Sequence, residues 1–194
     1  MKLITSRFLI KAEPAGLAGT TEQFYDTVFG ATRRQKASHQ FRLAADPVTA
    51  LSWVAMEGDA LVGAIRYWPI EIGTARHLAL LLGPLAIAST HLRQGIGSAL
   101  IDKTLALASQ AGHDLVLLVG DPAYYQRFGF ILATPFGLVM PGESRPDRLQ
   151  VLALKHQMLD RVTGELRSYR DYHAAIMPVA ANEPTRPIAG AGLA

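Results

Sequence analysis

Two glycines one residue apart, Gly95 and Gly97, follow Arg93 and Gln94 and precede Ser98, at a point where the chain changes character. The apolar run around Leu81 to Ile87 has strand length, and the residues after Gly95 have helical apolar spacing, so the stretch reads as strand, glycine loop and helix start. Closely spaced glycines let backbone approach a ligand without Cβ interference. The free N–H groups of a helix start, with the helix dipole behind them, favour a phosphate. An anion site over residues 93–98 is the natural inference.

Three other glycine-loop chemistries fail on the letters. A dinucleotide fingerprint needs a small residue where Leu100 stands, and no Gly-Lys-Ser/Thr follows to make a P-loop. Ser98 sits in Gly-Ile-Gly-Ser-Ala, which lacks the Gly-x-Ser-x-Gly spacing of a nucleophile elbow.

The elements that must position this loop follow from periodicity. Leu3 to Lys11 reads as a first strand and about Leu17 to Phe29 as a helix capped by Gly30. A second helix is expected from Arg33 to Ala44, anchored by Phe41 and ended by Asp46-Pro47. Ala50 to Met56 and Ala60 to Trp68 form a hairpin about Glu57-Gly58-Asp59, with Pro69 ending its second strand. His77 to Ile87 is a fourth strand that Gly83-Pro84 must bulge. Gly95 to Ala111 is a helix stopped by Gly112, and Asp114 to Val119 is a buried parallel strand. A short helix to about Phe128 follows, and Phe130 to Ala133 and Arg148 to Leu154 supply the remaining strands.

With 194 residues, 49% of them hydrophobic and 18% charged, one globular domain over 1–173 is expected, followed by an Ala/Pro/Gly-rich tail over 174–194. Basic residues exceed acidic ones by 19 to 16 and are scattered, which gives nucleic-acid binding little support. Cys is absent, so thiolate chemistry and disulfides are excluded. No run of membrane-spanning length and no early secretory core is visible, so a cytoplasmic location and no membrane partner are expected. No His and carboxylate cluster has metal-ligand spacing.

A second block, Gly120-Asp121-Pro122-Ala123-Tyr124-Tyr125-Gln126-Arg127-Phe128-Gly129-Phe130, gives the glycine loop its meaning. Together the two blocks resemble the GCN5-related N-acetyltransferase (GNAT) family. There Gln/Arg-x-x-Gly-x-Gly/Ala opens the helix that holds the pyrophosphate of acetyl-coenzyme A, and Tyr-x-x-x-Gly-Phe ends the helix after the fifth strand. Gly95 and Gly97 fill the two glycine positions, with Leu92 at the first position of the pattern. Tyr125, Gly129 and Phe130 fill the second motif. The longer form, with Gly-Asp-Pro and the tyrosine pair, looks like the YhbS-like branch.

The resemblance implies an α/β fold whose mixed, mostly antiparallel sheet splays between strands 4 and 5, with helices on both faces. It implies that acetyl-CoA lies with its pantetheine along the main chain of Leu85, Ala86 and Ile87. Its pyrophosphate would rest on Arg93, Gln94, Gly95, Ile96, Gly97 and Ser98. Tyr125, with Tyr124 as the alternate, would protonate the departing thiolate as a general acid, and the Ile87 N–H would polarise the thioester carbonyl. The expected reaction is direct attack by a primary amine, on a small molecule ahead of a protein. Glu71, His77 or a water chain would deprotonate the amine, while His91 reads as a solvated loop residue. A non-catalytic acyl-CoA sensor is the alternative, and a homodimer is compatible with the sequence.

Overall fold

The computed structural model describes residues 8–169. Expectations for residues 1–7 and for the tail at 174–194 fall outside them. One sheet runs in the order β1-β2-β3-β4-β5-β8-β6. Its strands are β1 (Leu9–Ala12), β2 (Trp53–Glu57), β3 (Ala60–Ile72), β4 (His77–Ile87), β5 (Leu115–Val119), β6 (Ile131–Leu132) and β8 (Leu149–Ala153). Two more strands, β7 (Leu138–Val139) and β9 (Gly164–Ser168), pair with each other, and β9 also joins β3 at Ile70 to Ile72. The β4–β5 and β7–β9 pairs are parallel and the others antiparallel, so the sheet is mixed and mostly antiparallel, as expected.

Strand alternation sends successive side chains to opposite faces, and each face has its own helix. Val54 and Ala64 point to α1 (Ala18–Phe29), where they meet Tyr25. Ala55 and Ile65 point the other way, against Ile96, Leu100 and Ile101 of α3 (Ile96–Gln110), the crossover between β4 and β5. Both helices end at glycines in positive φ, Gly30 at 74° and Gly112 at 83°. No helix among the described residues is long and apolar enough to cross a membrane.

Three expectations need correction. The helix predicted from Arg33 to Ala44 is instead a 3₁₀ turn, Ala31–Gln35, an extended Lys36, and one short helix, α2 (Ala37–Gln40). Arg33 is drawn back onto α1 by Asp26 and Glu22, each at 2.6 Å, which competes with continuing a helix. Second, β3 runs through Pro69 to Ile72. The Tyr67 carbonyl accepts from the Val48 N–H and the Gly73 N–H donates to the Glu165 carbonyl, so odd-numbered residues there face away from β4. The missing N–H of Pro69 therefore falls in the interval between the last β2 partner, Ile65, and the first β9 partner, Ile70, where no ladder bond is lost. Third, β7 and β9 were not expected. β9 reads Gly-Glu-Leu-Arg-Ser and buries only Leu166, so it carries no strand pattern.

A buried ion cluster sets the position of α1. Arg66 of β3, 5% exposed, donates to both carboxylate oxygens of Glu13 and, at 2.6 Å, to Glu22 on α1. Removing the guanidinium strands the nearly buried Glu13 carboxylate. Arg66→Met is therefore expected to cost about 3 kcal/mol or more in urea unfolding. A loss under about 1 kcal/mol would show that water replaces the cluster without penalty.

Candidate active site

The site begins with a defect in the sheet. β4 pairs with β5 only at Leu80 and Leu81, although β4 continues to Ile87. On its other side β4 stays paired to β3, except where Gly83 and Pro84, joined by a cis peptide, stand opposite Arg66 alone. The bulge expected at Gly83-Pro84 and the parting of the fourth and fifth strands are both present. Beyond it, the Ala88 N–H donates to the Val62 carbonyl on β3. Because backbone groups alternate sides along a strand, Ala86 also bonds toward β3, while the N–H and C=O of Leu85 and Ile87 face the gap. Ala86, expected beside Leu85 and Ile87 as a ligand partner, is 1% exposed and has its polar groups committed to the sheet.

A cavity of about 730 Å³ fills this gap and extends to the start of α3. The first intrahelical bond of α3 runs from the Ala99 N–H to the Gly95 carbonyl, which leaves the amides of Ile96, Gly97 and Ser98 without a helical acceptor. No side chain caps them, and no acidic residue stands in the first turn. Gly95 takes φ 83° in open space, so its role is conformational. Gly97 has a different reason: a Cβ there would lie 2.6 Å from the Tyr124 hydroxyl. Arg93 lines the cavity from a positive φ of 62°. Gln94 does not line it, and its amide instead donates to the Thr90 carbonyl at 3.2 Å, bracing the loop. His91 is not a solvated residue: its side chain is 17% exposed and Nε2 lies 3.0 Å from Glu57, tying the loop to the β2–β3 turn.

The tyrosine block forms α4 (Pro122–Tyr125), capped by Asp121, whose carboxylate accepts the Ala123 N–H at 3.0 Å. The two tyrosines diverge across the opening. Tyr124 reaches to Gly97 on α3, its ring covered by the Arg127 guanidinium at 4.1 Å. Tyr125 lies on Gly120 at the end of β5, edge-on to Phe130 at 5.9 Å. Neither hydroxyl bonds to another described residue, in contrast to Tyr67, whose hydroxyl is 2.8 Å from Thr104. Burial, reinforced by the neighbouring Tyr124 and opposed by Arg148, pushes the Tyr125 hydroxyl well above the usual tyrosine range.

A second cavity, about 790 Å³, lies on the far side of the tyrosines among the 3₁₀ turn at 31–35, α2, the Gly83-Pro84 bulge and the loop at 142–148. The two cavities share Phe29, Leu85, Tyr124 and Tyr125. Glu71 and His77, expected as candidate bases, line neither. They face each other's strands at the opposite end of the β3–β4 hairpin, where Arg76 grips Glu71 at 2.8 and 3.0 Å and His77 lies 3.5 Å from Asp114. Phe29 of α1 and Arg127 were missed as lining residues. Arg127 was legible in principle, one helical turn after Tyr124.

A family described as the acetyltransferase (GNAT) domain matches residues 49–132, the span that contains the hairpin, the bulged strand, α3 and α4. Residues 49–132 thus carry the match to a GNAT acetyltransferase domain, and the N-acetyltransferase homologues support an acyltransferase. It is 26% identical over 146 residues to the uncharacterized N-acetyltransferase YhbS of Escherichia coli K12, covering 75% of this chain and 86% of that one. Human N-acetyltransferase 8 is 34% identical over 84 residues, 40% of this chain and 37% of its own. The crystal structure of Escherichia coli YhbS in complex with CoA has a TM-score of 0.73 at 25% identity, covering 87% of this chain and 93% of that one. A GNAT acetyltransferase from Brucella melitensis in complex with acetyl-CoA gives 0.62 at 28% identity, over 84% and 96%.

The support of Tyr125 by Gly120 is directly testable. A Cβ at Gly120 would sit 2.2 Å from the Tyr125 ring, whose aromatic carbons cannot yield as a flexible chain end would. Gly120→Ala is expected to displace the ring and cost about 1–3 kcal/mol in urea unfolding. An unchanged midpoint, with the ring in place in a crystal structure of the variant, would refute this packing.

Proposed function

We propose that the protein transfers an acetyl group from acetyl-CoA to a primary amine by direct attack, with the nucleotide in the cavity at the head of α3 and the amine entering from the second cavity. The observation that carries the reading is the meeting of the two cavities at Leu85, Tyr124 and Tyr125, beside outward-facing strand amides. In this reading the pyrophosphate rests on the open amides of Ile96, Gly97 and Ser98. Arg93 and Arg127 line the same cavity, and among the described residues no carboxylate does. The pantetheine amides pair with Leu85 and Ile87 as a missing strand would, and Ala86 takes no part. The acetyl carbonyl points to the Ile87 N–H, which stabilises the oxygen as charge develops there.

Attack by the neutral amine forms the new C–N bond as the C–S bond breaks, and the thiolate must receive a proton. Tyr125 holds one tightly, because burial disfavours its phenolate. The reading gives Tyr125 the proton transfer to sulfur and Tyr124 a supporting place over Gly97. With Glu71 and His77 removed from consideration, water in the second cavity takes the amine proton. A non-catalytic acyl-CoA sensor is the alternative, and the two tyrosines that line both cavities, whose hydroxyls bond no other described residue, favour the catalytic reading.

Calorimetry with acetyl-CoA, followed by thioester consumption with a panel of amines, tests this function. Saturable heat and amine-dependent release of CoA are expected; the absence of heat would end the reading. Tyr125→Phe is expected to lower kcat about 100-fold or more while leaving the acetyl-CoA KM within a few-fold, and Tyr124→Phe to cost less. A larger kcat loss in Tyr124→Phe would exchange the two roles. Since the raised Tyr125 retains its proton through the ordinary tyrosine pKa near 10, kcat/KM should climb as the amine deprotonates and then stay level to about pH 10. An alkaline fall between pH 8 and 10 that Tyr125→Phe abolishes would contradict the assignment.

A further inference from the structure

The second cavity contains a guanidinium whose Nε has no hydrogen-bond acceptor among the described residues. Arg42, just beyond α2, lines it with its Nε sealed from solvent and without a hydrogen-bond acceptor. Among the described residues no carboxylate reaches its guanidinium, which lies over the Trp68 ring at 5.3 Å. Nη2 is 3.3 Å from the Cβ position of Gly83, so the guanidinium stands against the first residue of the β4 bulge. Among the described residues, the other arginines of the cavity have oxygen acceptors. Arg33 is held by Glu22 and Asp26, and Arg145 by Asp147 at 2.8 Å. Lys36 lies over Phe29 at 5.7 Å, and the Arg148 Nε is 3.5 Å from the Gly120 carbonyl.

The anions nearby are also spoken for. Glu22 influences Arg42 electrostatically but is bonded to Arg33 and Arg66. Of the two acidic residues lining the cavity, Asp121 caps α4 and Glu143 accepts the Arg145 N–H at 2.9 Å. Burial lowers the Arg42 guanidinium to about 10, leaving it cationic at neutral pH. A sealed N–H without an acceptor is costly, and a planar guanidinium is suited to bind a carboxylate through two parallel hydrogen bonds.

We propose that Arg42 anchors the carboxylate of the acceptor, and that the substrate class is a small amine that also bears a carboxylate, as a free amino acid does. The inference rests on the acetyltransfer reading above and adds the identity of the acceptor. Its geometry is consistent with that size. From Gly83 to Ile87, whose N–H takes the acetyl carbonyl in that reading, the strand spans at most about 13 Å, so an anion on Arg42 and an amine at the thioester can belong to one small molecule. An amine without the anion would leave the sealed Arg42 Nε without an acceptor, and the site would disfavour it for the reason that a hydrogen-bonding pocket disfavours an analogue lacking the bonded group.

The test compares, by CoA release from acetyl-CoA, the free amino acids with their carboxamides and their decarboxylated amines, at equal concentrations of deprotonated amine. At least one free amino acid is expected to exceed both its analogues by 30-fold or more in kcat/KM. Arg42→Met, which keeps a chain to pack on Trp68, is expected to erase that preference through a 30-fold or greater rise in acceptor KM, with acetyl-CoA affinity by calorimetry unchanged and a urea midpoint no lower than the parent's. Arg42→Lys should restore part of the preference. The proposal is overturned if carboxamides or decarboxylated amines serve as well as the acids, if no amino acid is acetylated, or if Arg42→Met retains the preference. Calorimetry separates the two failures: loss of acetyl-CoA binding in the parent chain defeats the acetyltransfer reading, whereas binding without acid preference defeats only the role of Arg42.

Discussion

The molecule depends on a strand that is paired on one side only. β4 holds β3 along most of its length but leaves β5 after Leu81, so the outward N–H and C=O groups of Leu85 and Ile87 have no strand beside them. Backbone polar groups shielded from water and left unpaired are expensive, and a sheet normally closes such a gap. Here α3 departs from the end of β4 and returns as β5, and α4 crosses the mouth of the opening, which keeps the two strands apart. The parting also places helix amides, strand amides and two aromatic hydroxyls around one space.

Charge is distributed to match. The cavity at the head of α3 is lined by Arg93 and Arg127 and, among the described residues, by no carboxylate. The cavity behind the tyrosines has five basic residues against two acidic ones, but pairing leaves the Arg42 guanidinium as the cation with an unmet hydrogen-bonding need. The acids that might have quenched it are consumed elsewhere: Glu13 and Glu22 bind Arg66, and Glu22 and Asp26 bind Arg33. The same ion cluster that fixes α1, and with it the Phe29 wall common to both cavities, thus keeps the second cavity positive.

Much of this was legible where the signal was local. Gly83-Pro84 announced the bulge, Gly95 and Gly97 the loop, and Gly120 through Phe130 the crossing helix, because each depends on backbone conformation or close contact within a few residues. The fold class followed from the same segments. What escaped depends on partners distant in sequence. Arg66 and Glu13 are 53 residues apart, and Arg33 bends the chain away from a helix by reaching back 11 residues to Glu22. β9 is recruited by the free edge of β3 although its own pattern is polar. Ala86 was misjudged by a single step, since naming three consecutive residues as ligands ignores that alternate backbone groups face opposite edges. Glu71 and His77 looked close to the site in sequence but lie at the turn end of the β3–β4 hairpin, away from Leu85 and Ile87.

Backbone amide exchange by NMR, with and without CoA, tests the central claim most directly. The account predicts that CoA slows exchange at Leu85, Ile87, Ile96, Gly97 and Ser98, while Ala86, already bonded to β3, is protected in both states and changes little. New protection at Ala86 with none at Leu85 and Ile87, or no change at the head of α3, would contradict it.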